Sequence, residues 1–101
     1  MIDLIPVGSE NAILVKDLAG LTNSNERAVK AKIRSLRMDG LLILSQASGG
    51  YFFPSKGKKG MEEAERYIKM MRRQISERLE TIEAASQWLA LQQKQQKAKN
   101  H

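Results

Sequence analysis

Few side chains in this 101-residue sequence carry chemistry beyond simple charge. There is no cysteine, and the single histidine is His101. Thiolate metal sites, disulfides, a cysteine nucleophile and multi-histidine centres are therefore excluded within one chain. Glu77, Glu80 and Glu83 share one side of a helix, but Arg73 and Arg78 lie beside them, so they read as a solvated charged face. Gly57 to Gly60 lacks the strand-then-helix setting of a phosphate-binding loop. What remains is cationic: Arg27, Lys30, Lys32, Arg34 and Arg37 follow one another with no acid between them. A helix gains nothing from such an imbalance, because like charges a turn apart repel mildly. A polyanion would make use of it. No enzymatic activity, cofactor, metal or small-molecule ligand is expected.

The whole composition leans the same way. Lys and Arg number 17 against 11 acids, a formal net charge of +6, which favours nucleic acid, an acidic partner or an anionic surface. An apolar fraction of 42% with only 5% aromatics supports one modest core and no large pocket. No apolar run approaches the ~18 residues that span a bilayer. Met1-Ile2-Asp3-Leu4-Ile5-Pro6 places an acid where a secretory signal carries bases. The expectation is a soluble, cytoplasmic protein with no membrane partner.

The elements that must position these cations can be read from turn signals and periodicity. Residues 1–55 hold the branched apolar clusters, 56–60 read as a basic Gly/Lys linker, 61–97 as a long helix without Gly or Pro, and 98–101 as a disordered tail. Within the first part, Gly8 to Asn11 is a turn signal and Val15 to Ala19 a short helix, broken at Gly20 to Asn23. Asn23 with Glu26 three residues on matches a capping box that opens a helix over 24–39, closed by Gly40. On that helix Val29, Ile33 and Leu36 share one face. Arg27, Lys30, Arg34 and Arg37 occupy another arc, with Ala28, Ala31 and Ser35 as a small-residue stripe. Leu41 to Ser45 and Tyr51 to Phe53, around Gln46 to Gly50, predict a β-hairpin stopped by Pro54. The fold class expected is mainly α with a small β-hairpin (α+β).

Short helix, tight turn, basic helix, hairpin is an informative order. Val15-Lys16-Asp17-Leu18-Ala19, the turn Thr22-Asn23-Ser24, Arg27-Ala28-Val29 through Ile33, Leu36 and Asp39-Gly40, then Leu41-Leu42-Ile43, resemble the winged helix-turn-helix family over residues 9–55. The layout with a long C-terminal helix is also similar to small winged-helix proteins carried by phages and prophages. The resemblance implies double-stranded DNA as partner, with the second helix in the major groove. It puts Ser24, Asn25 and Arg27 nearest the base edges, although helix capping explains Ser24 and Asn25 equally well. It puts Lys30, Arg34 and Arg37 on phosphates. The hairpin turn would be a wing tip, but one without Lys or Arg. Lys56, Lys58 and Lys59 stand in for it, or form a solubilising linker. The first helix usual in the family is missing, so Asn11 to Leu14 form either a truncated turn or a strand pairing with the wing. Completing the core then falls to the C-terminal helix or a second chain. The implied function is sequence-specific DNA binding in transcriptional regulation. The alternatives are a replication-initiation or recombination accessory factor, and a winged-helix protein–protein adaptor.

Beyond residue 60 the apolar positions keep a heptad. Ile68, Ile75, Ile82 and Leu89 recur every seven residues, with Ala64, Met71 and Ala85 between them. Arg78 interrupts this seam, and Leu79 sits next to it. Such a repeat predicts a coiled coil and hence a homodimer through Ile68, Met71, Ile75, Ile82 and Leu89. Trp88 and Tyr67 read as interface or core. Glu62, Glu63 and Glu65 near its start and Lys94, Lys97 and Lys99 near its end suit the helix dipole. A symmetric dimer would present two basic helices to half-sites ~34–36 Å apart.

Overall fold

A computed structural model describes residues 1–99; Asn100 and His101, the end of the segment read as a tail, lie outside the described residues. Two short 3-10 turns, Ile2–Leu4 and Ser9–Asn11, precede helix α1 (Val15–Leu21) and helix α2 (Glu26–Met38). Strands β1 (Leu44–Ser45) and β2 (Tyr51–Phe52) follow, then helix α3 (Gly57–Lys99). The chain is thus mainly helical, with a two-stranded antiparallel hairpin and a long C-terminal helix. It divides into two compact units, Met1–Met70 and Met71–His101. No described helix is long and apolar enough to cross a membrane.

The turn between α1 and α2 is built by its polar side chains. Thr22 Oγ1 donates to the Leu18 carbonyl at 2.7 Å, and the Ser24 N–H returns to Ala19 O at 2.9 Å. Asn23 takes the left-handed conformation at φ 52°, which asparagine tolerates better than most residues. With Asn23 spent on the bend, capping passes to Asn25, whose Oδ1 accepts from Ala28 N at 2.8 Å. The helix therefore opens at Glu26, and the capping box expected at Asn23 does not form. Its other end is as the sequence predicts. Gly40 at φ 99° lets its own N–H reach Arg37 O at 3.0 Å and that of Leu41 reach Leu36 O at 3.2 Å, a Schellman closure.

Leu18 and Ala19 of α1, Val29, Ile33 and Leu36 of α2, Ile43 and Ile5 form one buried cluster. Each fully buried aliphatic side chain contributes about 1.5–3 kcal/mol relative to exposure. Met1, Leu4, Ile13, Val15, Leu41, Tyr51 and Phe53 pack around it. The N-terminal segment thus helps complete the core, with Ile5 buried and Met1 and Leu4 packed against it. Of the two completions expected, the C-terminal helix or a second chain, the helix contributes no described residue to this cluster.

The hairpin is shorter than its apolar runs. Leu44 pairs with Phe52 and Ser45 with Tyr51, while residues 41–43 leave the Schellman closure without strand pairing. Two such residues a side would be marginal alone. Flanking backbone supports them: Ile13 and Tyr51 exchange hydrogen bonds at 3.0 and 2.8 Å, and Phe53 N donates to Pro6 O at 2.7 Å. Asn11 to Leu14 therefore combine both readings, the end of a turn followed by a bridge to the hairpin.

Helix α3 begins at Gly57, so most of the segment read as a linker is its first turn, and it continues to Lys99. Gly60 is buried where a Cβ would overlap the Ser55 carbonyl, so only glycine allows this approach. Three residues on, Glu63 is 1% exposed. Its Oε2 accepts from Ser9 N at 2.6 Å and its Oε1 from Ser55 N at 2.8 Å. One carboxylate thereby joins the N-terminal turn, the end of the hairpin and α3. Burial alone would raise its pKa; the Ser55 and Ser9 donors outweigh that and hold it at about 2. A Lys59–Glu10 ion pair at 2.6 Å links α3 to the same turn.

Two outcomes follow from these contacts. Because the Glu63 carboxyl titrates below its ordinary 4.5, its stabilisation is complete above that pH and is lost as pH falls toward about 2. Acid unfolding followed by circular dichroism will show this loss, and Glu63→Gln will flatten it while costing about 1–3 kcal/mol at neutral pH. In denaturant titrations Gly60→Ala will lose at least about 2 kcal/mol. Gly20→Ala, exposed in α1 with nothing within 4 Å of the added methyl, will gain about 0.5–1 kcal/mol.

Candidate functional site

Burial of Val29, Ile33 and Leu36 leaves the opposite side of α2 open. Arg27, Lys30 and Arg34 are exposed and fall within an arc of about 60° at ~100° per residue. Ala28, Ala31, Lys32 and Ser35 are exposed too. The open face is therefore a strip of small side chains with Arg27, Lys30 and Arg34 along one border and Lys32 along the other. None of these four cations forms an ion pair among the described residues. A surface of this form lets a polyanion approach the helix closely while long cationic arms reach around it.

Ser24 and Asn25 stand exposed at the start of this face, and both are also used by the fold. The Asn25 carbonyl oxygen caps α2, which leaves its amide N–H groups to donate outward. Ser24 Oγ lies 2.7 Å from Thr22 Oγ1, whose proton is committed to Leu18 O. Ser24 must then donate to Thr22, and its remaining capacity is to accept. The two readings of these residues, cap and contact, are thus compatible at Asn25 and constrained at Ser24.

Arg37 departs from expectation. Its Nε donates to Ile43 O at 2.8 Å, and its guanidinium lies 5.7 Å from the Tyr51 ring centroid and 5.6 Å from that of Tyr67. Its Nη2 is buried with no hydrogen-bond partner, against the two rings. Arg37 belongs to the fold, joining α2, the hairpin and α3, and does not share the open face with Arg27, Lys30 and Arg34. The reason is angular. At ~100° per residue Arg37 lies only about 40° round from buried Ile33, whereas Arg34 lies about 100° away. That angle was the available signal; the two tyrosines that receive the guanidinium were not foreseeable from spacing.

The remaining candidates separate. Lys56 and Lys58 are exposed, while Lys59 is engaged by Glu10, whose carboxyl that hydrogen bond holds below its usual range. Glu63, expected only to complement the helix dipole, is the buried anchor described above. Ile68 of the first unit is 46% exposed, and in the second Met71 is half-buried. From residue 72 to 91 every residue is exposed, Ile75, Ile82 and Leu89 included. The seam is thus an uncovered apolar face. No group of three His, Cys, Asp or Glu among the described residues is placed to hold a metal. Comparison with family models, curated proteins and solved structures finds no match to this chain.

The division between Arg37 and its neighbours is measurable. Arg37→Ala will lower stability by about 1–3 kcal/mol in thermal or chemical denaturation, through the lost hydrogen bond and ring contacts. Arg34→Ala will stay within about 0.5 kcal/mol of the parent chain.

Proposed function

We propose that this chain binds double-stranded DNA as a winged helix-turn-helix protein, with α2 in the major groove and the β1–β2 hairpin as its wing. The observation that carries the proposal is the open face of α2, where four unpaired cations border exposed Ala28, Ala31 and Ser35. A major groove about 12 Å wide admits one helix, and small side chains on the groove-facing side bring its backbone close to the bases. Arg27, in the first turn, has the bidentate geometry that suits guanine. Asn25 can donate, and Ser24 accept, at adjacent base edges. Lys30, Lys32 and Arg34 lie within reach of phosphates, which position the protein without reading sequence.

The hairpin tip, Gln46 to Gly50, carries no cation. Exposed Lys56 and Lys58 supply charge beside the hairpin instead. The apolar face of α3 pairs two copies, so that each duplex is held by two such helices. A regulator of transcription is the role this arrangement fits best. Binding sites mapped at an origin or a recombination site would instead assign the same contacts to replication or recombination.

Selection of bound duplexes from a random pool will yield a consensus with inverted symmetry. Arg27→Ala will relax the preference at one position of each half-site. Arg34→Ala will weaken binding to all duplexes alike, and the slope of log affinity against log salt will fall by about 1 per binding face. Salt-independent or undetectable duplex binding, with capture of an acidic protein, would favour the adaptor reading instead.

A further inference from the structure

Arg37 is tied to the fold, yet its charge has no anionic partner. Its Nε donates to Ile43 O, and its guanidinium lies over the rings of Tyr51 and Tyr67. That bond uses one of the five N–H donors of a guanidinium. Of the two terminal nitrogens, Nη2 is buried without a partner, and Nη1 forms no hydrogen bond or ion pair with a described residue. Ring faces attract a cation, but they do not supply the oxygen acceptors with which a guanidinium pairs most strongly.

The same side chain lines a cleft of about 260 Å³ where α2 ends, with Gly40, Leu41, Leu42, Ile43 and Tyr67 as its other walls. All of these residues belong to the first unit. Apart from Arg37 and the Tyr67 hydroxyl the side chains of the walls are apolar, and Leu42 is 56% exposed. One cation in an apolar cleft suits a ligand with an anionic head and an apolar tail. The cleft is smaller than the ~300–1,000 Å³ of sites for drug-sized ligands, so the tail is short. The negative end of α2, and exposed Asp39 next to Gly40 in the chain, tell against a phosphate dianion. A carboxylate carries a single charge, and its planar oxygens match the planar guanidinium. The two rings and Ile43 O already hold that guanidinium in place, so little freedom is lost when the ligand arrives.

We propose that this cleft, between the end of α2, residues 40–43 and Tyr67 of α3, binds a small monocarboxylate with a short apolar tail. The carboxylate accepts from Arg37 Nη1, and the tail lies against Leu41 and Leu42. Arg37 stands off the open face of α2, so the proposal is independent of what that face binds.

Benzoate is a suitable probe. Titrated into the full-length chain and followed by backbone amide and arginine Nε resonances, it will shift Arg37, Leu41, Leu42 and Ile43 saturably, with a Kd of about 10 mM or lower. Benzamide keeps the ring and loses the charge, acetate keeps the charge and loses the ring, and inorganic phosphate brings a second charge. Each will bind at least about tenfold more weakly than benzoate. Leu42→Glu sets a carboxylate of the chain itself at the cleft and will weaken benzoate at least about tenfold. Leu42 is exposed and outside the core, so this variant will keep the parent's circular dichroism. Arg37→Lys tests the guanidinium itself, and the Leu42 variant decides the matter where Arg37→Lys does not fold. Equal affinity for benzoate and benzamide, or unchanged affinity in Leu42→Glu, would overturn the proposal. So would shifts confined to Arg27, Lys30 and Arg34, or the absence of any saturable shift.

Discussion

A helix seated on a core keeps one freedom, rotation about its own axis, and in α2 the burial of Val29, Ile33 and Leu36 removes it. Each of these side chains would cost about 1.5–3 kcal/mol to expose. Rotating the helix far enough to hide its cations would expose all three and bury charges without partners. The outward placement of Arg27, Lys30 and Arg34 is therefore enforced from beneath. Asn25 and Gly40 add the endpoints: one caps the first turn and the other stops the helix so that the chain can leave toward the hairpin.

The rest of the first unit holds that arrangement together with few strongly committed polar groups. Glu63 gathers two backbone donors, Ser9 and Ser55, that are far apart in sequence. Arg37 gathers Ile43 and two tyrosines. Both are charged residues from helices that look amphipathic, and both are turned inward because each finds partners that offset its desolvation. Gly60 belongs to the same joint, since its missing side chain lets α3 approach Ser55. A small domain without disulfides gains definition from such links, which tie its irregular N-terminal segment to the regular elements.

These groups mark where the sequence is not legible. Periodicity located α2, its buried face and the hairpin, because Val29, Ile33 and Leu36 are apolar and Gly40 has one common use. Asn23 and Asn25 both suit a cap, and only the left-handed bend at Asn23 decides between them, so the opening of α2 lies two residues beyond the one the capping pattern predicts. Gly57 and Gly60 look like breakers and so suggest a linker, whereas the segment is helical and Gly60 is demanded by its tertiary contact with Ser55. Composition hid the special position of Glu63 among three neighbouring glutamates. Charge alone groups Arg37 with the outward cations, although its angle from Ile33 sets it at the edge of the core. Local signals failed where distant backbone supplied the partner.

The central claim is that the exposed cationic face of α2 is the surface that meets DNA. Titrating isotope-labelled protein with a short duplex at low salt, and following backbone amide and arginine side-chain resonances, tests it directly. The largest changes should fall between Ser24 and Ser35, with Arg27 and Arg34 side chains among them and Arg37 little affected. Changes confined to α3 or to the hairpin tip, with α2 unmoved, would contradict it.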